Sequence, residues 1–507
     1  MTEGGVMAYG PRRRATRRAV MRWLGASAAG AVTLGRTPTR SLAAALATPA
    51  TEPDPRPNIV LILLDDLRYD DIAAMPMVQR LLAAQGASGS AFFSTAAQCA
   101  PARASIFRGQ YPHNHGVLRG SGEIGGLDQY IAQGNEESNI ATWLQDAGYR
   151  TALVGKYMNG YREAVAESYV PPGWSDWNGV TQEGYTRFEI NHNGEVVKYR
   201  SGQSEQYSTD VLGALAAQFI RDAAASGAPF FLHLSPRAPH GPVEPAARHA
   251  AAVPDIAAPR GPAFNEADVA DKPDWVKNLP PLSSTVEAQI DQTYRGRWQT
   301  LLAADEMVGT LIAALDQSGT LANTYVVFTS DNGFHLGEHR IADGKGSPYE
   351  ESIRVPLIVR GPGIAPGTTI DALASQIDLA PTFAAWADVP VPDFVDGRSL
   401  APLLAGDDPG PWRHAVLAEH YVSRPERNTS DPAFKALRTE DYLYAEHSNG
   451  QRELYDLGRD PYELENLVES SDQALLDALA TRLAAVAGCA GQGCRDIDAE
   501  PVPALRT

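Results

Sequence analysis

Four short runs along the chain are apolar at nearly every position, and each leads into polar residues. Ile59 to Leu64 runs into Asp65-Asp66, and Thr151 to Val154 passes through Gly155 into Lys156. Phe230 to Leu234 is followed shortly by His240, and Tyr325 to Thr329 runs into Ser330-Asp331-Asn332-Gly333. Without a two-residue alternation, neither face of such a strand is left for water, which suits the centre of a sheet covered on both sides. Helical patterns lie between the runs. Over residues 294–317, Leu301, Ala304, Val308, Leu311, Ile312 and Leu315 fall on one face, and Gly319 is a stop signal. Residues 138–147, before Gly148, read as another short helix. This strand–helix alternation predicts an α/β sandwich with a largely parallel central sheet. Ligands of such folds bind beyond the C-terminal strand ends, the edge where Asp65, Asp66, Lys156, Asp331 and Asn332 are expected together.

The Pro- and Gly-rich stretches between about 160 and 290 read as extended loops over that edge. After about Pro411 the pattern changes. Phe434 to Thr439, Tyr442 to Glu446 and Glu453 to Leu457 predict short antiparallel strands with a turn at Asn449-Gly450, covered by a helix over 472–487. The expected organisation is a segment 1–47, a catalytic domain 48–410, and a smaller C-terminal α+β domain 411–507.

The first 47 residues change the picture of charge. They carry a twin arginine, Arg17-Arg18, before a mildly apolar stretch that ends at Ala45-Leu46-Ala47, the pattern of a twin-arginine signal peptide cut by a signal peptidase. They hold eight Arg and one Glu, so residues 48–507 are more acidic than the overall formal charge of −18. That surface excludes general nucleic-acid binding, and cationic contacts to an anionic substrate must be gathered in a cleft. No later stretch is apolar for long enough to span a membrane. The expectation is an exported protein, periplasmic, cell-wall-associated or extracellular, with the twin-arginine translocase as a partner. Of the three cysteines, Cys489 and Cys494 lie near each other, as a disulfide or as a free pair. Cys99 stands alone, and an unpaired cysteine in an exported chain needs a reason.

Cys99 opens Cys99-Ala100-Pro101-Ala102-Arg103. Pro101 suits a first helical turn and Gly109 a helix end, so Cys99 is expected at a helix N-terminus, where free N–H groups and the helix dipole favour an anion. Arg103, four residues on, shares its face. Asp65, Asp66, Asp331 and Asn332 add three carboxylates and an amide, hard oxygen donors suited to Ca²⁺ or Mg²⁺.

These residues carry a resemblance. Cys99-Ala100-Pro101-Ala102-Arg103 resembles the Cys-x-Pro-x-Arg signature of the formylglycine-dependent sulfatases of the alkaline-phosphatase-like superfamily. The similarity runs from about Pro57 to Leu467, with the paired Asp, Gly155-Lys156, His240, Asp331-Asn332-Gly333 and Gly344-Lys345-Gly346 in the family's order. Glu453-Leu454-Tyr455-Asp456-Leu457 with Asp460-Pro461 resembles its ending. The resemblance implies an alkaline-phosphatase-like three-layer sandwich and a sulfuric ester hydrolase. In this family a formylglycine-generating enzyme oxidises the cysteine to an aldehyde, whose hydrate attacks sulfur. Carried over residue by residue, Asp65, Asp66, Asp331, Asn332 and the converted Cys99 are the implied ligands of Ca²⁺, with Mg²⁺ as the alternative. Arg103 would hold the formylglycine hydroxyl, Lys156 and Lys345 would bind sulfate, and His240 would donate to sulfate or the leaving oxygen. His335 would reach the substrate from the Asp331-Asn332-Gly333-Phe334-His335 segment.

One position departs from the common pattern. Many sulfatases place a histidine two residues after the first lysine, and here Met158 stands there, with Asn159 beside it. Gly155-Lys156-Tyr157-Met158-Asn159, Pro171-Pro172-Gly173-Trp174 and Ala238-Pro239-His240-Gly241-Pro242 resemble the N-acetylglucosamine-6-sulfatase-like branch, which implies a sugar 6-O-sulfate substrate; an aryl sulfate is the other candidate. Trp174 and Trp177 could stack on a sugar or pack in the core. The competing readings are a phosphonate monoester or phosphodiester hydrolase of the same superfamily, and a catalytically inactive sulfated-glycan-binding protein.

Overall fold

The apolar runs become the middle of a ten-stranded sheet. In this computed structural model, which describes residues 54–200, 206–422 and 432–503, the strand Asn58–Leu64 pairs in parallel with Thr324–Ser330 on one side and Phe230–Ser235 on the other. Phe230–Ser235 pairs in parallel with Arg150–Gly155, and that strand with Asp176–Gln182. Consecutive residues of Asn58–Leu64 alternate between two cores. Ile59, Leu61 and Leu63 face one, and Val60, Ile62 and Leu64 the other. Both faces are covered, which is why the run shows no polar alternation.

The layers follow from which helices supply those cores. On one face lie Cys99–Arg108, Ile140–Asp146 and Leu379–Trp386, through residues such as Ile106, Leu144 and Phe383. On the other lie Ser208–Ser226 and Ser284–Gln317, through Leu212, Ile220, Leu301 and Val308. The result is the expected three-layer sandwich around a largely parallel sheet. The last helix is longer than its apolar face predicts, because Ser283 caps it ten residues earlier by accepting the Val286 N–H.

The loop expectation for 160–290 is corrected. Asp176–Gln182, Phe188–His192 and Glu195–Tyr199 extend the sheet, the last two antiparallel, and Ser208–Ser226 is a 19-residue helix. Asp176–Gln182 alternates buried and half-exposed positions as a sheet-border strand does, a weaker signal than an apolar run. The other sheet edge also turns antiparallel, through Leu357–Arg360 against Thr324–Ser330.

Toward the C-terminus a separate antiparallel sheet orders Ala415–His420, Phe434–Thr439, Tyr442–His447 and Arg452–Asp456. Its first strand was not expected. Gln473–Val486 packs Leu476, Leu479 and Leu483 against it. Cys489 and Cys494 form a disulfide, and Cys99 is a buried free cysteine. No helix among the described residues is long and apolar enough to cross a membrane. The expected twin-arginine signal peptide, residues 1–47, lies outside the described residues.

Candidate active site

The C-terminal ends of the parallel strands deliver the polar residues to one place. Asp65 and Asp66 follow Asn58–Leu64, Asp331 and Asn332 follow Thr324–Ser330, and Lys156 follows Arg150–Gly155. Asp66 adopts a left-handed backbone, φ 68°, rare for a residue with a side chain and typical of functional sites. Its N–H donates to Asp331 Oδ1 at 3.1 Å, and its carbonyl accepts from Arg297 Nη2 at 2.6 Å. Gly155 has φ 118°, and a Cβ there would meet the Ser235 carbonyl at 2.0 Å. Only glycine lets the neighbouring strand approach this closely and turn Lys156 into the cluster.

Cys99 begins the helix Cys99–Arg108, which Gly109 ends in the left-handed conformation. Its Sγ lies 3.2 Å from Asp65 Oδ1 and 3.8 Å from Asp66 Oδ1, and accepts from Lys345 Nζ at 2.8 Å. Lys156 Nζ is 2.6 Å from Asp65 Oδ2, and Lys345 Nζ pairs with Asp66 Oδ1. Arg103 Nε is 2.9 Å from Asp331 Oδ2, and its Nη1 donates to the Lys156 carbonyl and Ser235 Oγ. Its Nη2 has no hydrogen-bond partner. His240 Nε2 stands 3.7 Å from Asp66 Oδ2, and its Nδ1 meets the Gly241 carbonyl at 2.5 Å.

Three carboxylates thus meet three cations, all deeply buried except the partly open Lys345. Burial works to raise Asp65, but the Lys156 ammonium, with His240 and Arg103 behind it, holds its carboxyl well below the usual range. Asp66 is likewise lowered against its burial, by Lys345 first. Asp331 moves up through burial and the Asp65 charge. Burial, with Asp331 and Asp65, also pushes the Cys99 thiol well up, and an unmodified thiol held neutral is a poor nucleophile. The donor set fits a hard divalent ion: carboxylates of Asp65, Asp66 and Asp331 and the Asn332 amide surround position 99. Atoms of Asp65, Asp66, Cys99 and His240 lie within 4.8 Å of one another.

Most of the residues singled out from the sequence meet here: Asp65, Asp66, Cys99, Arg103, Lys156, His240, Asp331, Asn332 and Lys345. The His335 ring lies outside this cluster but lines the cavity beside Lys345. Its Nε2 bonds Ser347 Oγ at 2.6 Å, while its backbone N–H donates to Gly344 and fixes the turn before Lys345. Trp174 and Trp177 are buried among Phe107, Tyr157, Tyr161 and Phe231, so the sugar-stacking option is replaced by core packing. Met158 is buried in the same core. Sequence reasoning missed Ser235 and Arg297, and also Glu183, which lies 3.6 Å from Lys156 Nζ and 2.6 Å from Arg237. Ser235 ends an apolar run just as Asp65 follows one, a usable signal; Glu183 and Arg297 carried none.

A family model described as Sulfatase matches residues 57–389, and one described as N-sulphoglucosamine sulphohydrolase, C-terminal, matches 337–487. The N-acetylglucosamine-6-sulfatase of Capra hircus is 34% identical over 481 residues, covering 87% of this chain and 85% of that protein. A solved structure of a protein in complex with its substrate D-glucosamine-2-N,6-O-disulfate is 25% identical, with TM-score 0.70, over 85% of this chain and 97% of that one. The phosphonate monoester hydrolase of Silicibacter pomeroyi shares the fold at 24% identity and TM-score 0.63, over 84% of this chain and 93% of its own. The length of the family match, together with the 34% identity to a sulfatase along most of both chains, decides the family: this chain belongs to the sulfatases, the sulfuric ester hydrolases.

Proposed function

We propose that this enzyme hydrolyses a sulfate monoester on a sugar, with a 6-O-sulfate the favoured position, using residue 99 in its formylglycine form and Ca²⁺ as the metal. The observation that carries the reading is the contact set of Cys99 Sγ: Asp65 Oδ1 at 3.2 Å and Lys345 Nζ at 2.8 Å, at a helix start inside a ring of oxygen donors. Asp65, Asp66, Asp331 and Asn332 would hold the ion together with position 99. When bound, the ion would supply Lewis acidity, lowering the pKa of the residue 99 hydroxyl and drawing charge from the sulfate oxygens. The aldehyde hydrate supplies two hydroxyls: one displaces the alcohol from sulfur, and the other, on losing its proton, re-forms the carbonyl and expels sulfate.

The chain's own groups divide the remaining work. Lys156 and Lys345 would bind sulfate oxygens, with the carboxylates they now pair with left to hold the ion. Arg103, fixed at Nε and Nη1, keeps Nη2 for the residue 99 hydroxyl. His240, partly exposed, turns Nε2 toward the cluster and donates to the leaving oxygen. A cavity of about 550 Å³ opens beside Lys345, lined by Trp275, Leu282, Arg340 and Asp343, which leaves room for a sugar. The substrate of the solved relative and the name of the Capra hircus protein favour a glucosamine-type sugar. The reading extends to an export route: a formylglycine-generating enzyme acts on Cys99 and the twin-arginine translocase carries the folded chain out, leaving a catalytic domain 48–410 and a smaller domain 411–507.

Mass spectrometry of the peptide containing residue 99 is the test. A loss of sulfur and gain of carbonyl in active protein is expected; an intact thiol in active protein refutes the nucleophile. Because the fold is shared with a phosphonate monoester hydrolase, 4-nitrophenyl sulfate and a 4-nitrophenyl phosphonate are compared on the same preparation. Faster phosphonate turnover overturns the sulfatase chemistry.

A further inference from the structure

The stretch that carries Lys345 also contributes to a second buried cluster, which the proposed reaction does not use. Glu266 comes from the loops before the helix Ser284–Gln317, His339 and Glu351 flank Lys345, and Glu463 follows the strand Arg452–Asp456. His339, Glu463 and Glu266 are 0%, 1% and 4% exposed. Ligand atoms of His339, Glu351 and Glu463 lie within 4.8 Å of one another.

The hydrogen bonds leave these groups half used. His339 Nδ1 meets Glu266 Oε2 at 2.7 Å, which places the ring proton on Nδ1 and leaves a lone pair on Nε2. That Nε2 has no hydrogen-bond partner, and 3.8 Å away Glu351 Oε2 has none either. Glu463 Oε1 is also unpartnered, while its Oε2 accepts the Glu350 N–H at 3.0 Å. The His339 ring stacks on Tyr349 with 4.1 Å between centroids. His339 and Glu463 are therefore each held on one side and bare on the other, while the Glu351 side chain, 16% exposed, brings an unpartnered Oε2. Bare lone pairs facing one another out of water are costly unless something positive lies between them.

The charges point the same way. Lys272 Nζ lies 3.7 Å from Glu266 Oε1 and also acts on Glu463, while the cation acting on Glu351 is Arg68. The neighbouring Glu338 and Glu350 have partners of their own, Arg68 at 2.9 Å and Arg438 at 2.6 Å. When ionised, the three carboxylates outnumber the one lysine beside them.

We propose that His339 Nε2 and the carboxylates of Glu351 and Glu463 form a second metal site, for a divalent ion of the zinc type, with Glu266 orienting the histidine. Two ligands about 2.1 Å from a shared ion stand at most about 4.2 Å apart, and the 3.8 Å between Nε2 and Glu351 Oε2 falls inside that limit. An imidazole with two carboxylates selects zinc-like ions over calcium, and a carboxylate behind the histidine is the usual support for such a ligand. The ion would tie the Lys345-bearing stretch to the segment after Arg452–Asp456, steadying the sulfate-binding lysine from behind.

The test uses the full chain with Ca²⁺ in excess, incubated with Zn²⁺ and freed of loose ions by gel filtration. Elemental analysis should find about one zinc per chain, and Zn²⁺ should raise the Tm. Glu351→Gln and Glu463→Gln, each removing a charge at constant shape, should each lose the zinc and its Tm shift while keeping the shift given by Ca²⁺, which reports the cluster at Cys99. Absence of zinc from the wild type, or zinc undiminished in both variants, overturns the proposal.

Discussion

Two buried clusters share one stretch of chain, and they differ in how their charge is met. Around Cys99, Asp65, Asp66 and Asp331 each have a cation: Lys156, Lys345 and Arg103. Around His339, only Glu266 of the three carboxylates is paired with Lys272, and several of their atoms have no partner. A balanced cluster can take up a cation and an anion together, because the lysines released by the metal are then free for sulfate. An unbalanced cluster can take up a cation and nothing else. The first arrangement suits turnover, and the second suits a permanent ion.

The largest effect should come from Cys99→Ala, with activity falling by at least about 10⁴-fold and the fold kept, read as kcat/KM alongside a thermal melt. Retained activity would remove the chemical difference between the clusters. Lys272→Met takes away the second cluster's cation. At pH 9, above the Glu351 pKa of about 8, metal-free protein should lose about 3–5 kcal/mol in urea unfolding, because ionised carboxylates are then left buried without a counter-charge. Zn²⁺ should restore much of that loss, and a neutral result would mean the acids are protonated already. Lys345→Ala should lower kcat by about 10²–10³-fold with calcium content unchanged, the usual result of removing one donor to transition-state charge. A drop in calcium instead would make it part of the metal site. The smallest effect belongs to a histidine outside both clusters. His233 is buried against Phe107 and Trp174 with neither ring nitrogen partnered, and burial lowers its pKa to about 3. Below pH 6.5 the unfolded chain binds a proton there that the folded chain refuses, so stability falls as pH falls, down to about pH 3. Between pH 6.5 and pH 5 the gap in unfolding free energy between wild type and His233→Phe should shift by about 2 kcal/mol toward the variant.

The same contrast separates the residues that are legible in the sequence from those that are not. The cluster at Cys99 is legible because Asp65, Asp66, Lys156, Asp331, Asn332 and Cys99 follow local rules, a polar residue after an apolar run or a cysteine two residues before a proline, while His240 and Lys345 are carried by the family resemblance. The His339 cluster is not, since Glu266, His339, Glu351 and Glu463 follow no common spacing and three different stretches bring them together. Arg297 is hidden for the same reason, its partner carbonyl at Asp66 being 231 residues away in sequence. The extra strands between Asp176 and Tyr199 are masked by weak alternation and by the glycines that turn them.

Local sequence determined the central strands, the helix that begins at Cys99, and the identity of the groups at the sheet's C-terminal edge. It could do so because strand burial and helix starts are set by neighbouring residues. Only the tertiary structure decided which cation meets which carboxylate, that Trp174 and Trp177 are core, that the His335 ring turns to Ser347, and that a histidine and three glutamates share one buried space. Those outcomes depend on distances between segments far apart in the chain, and side-chain electrostatics act through space.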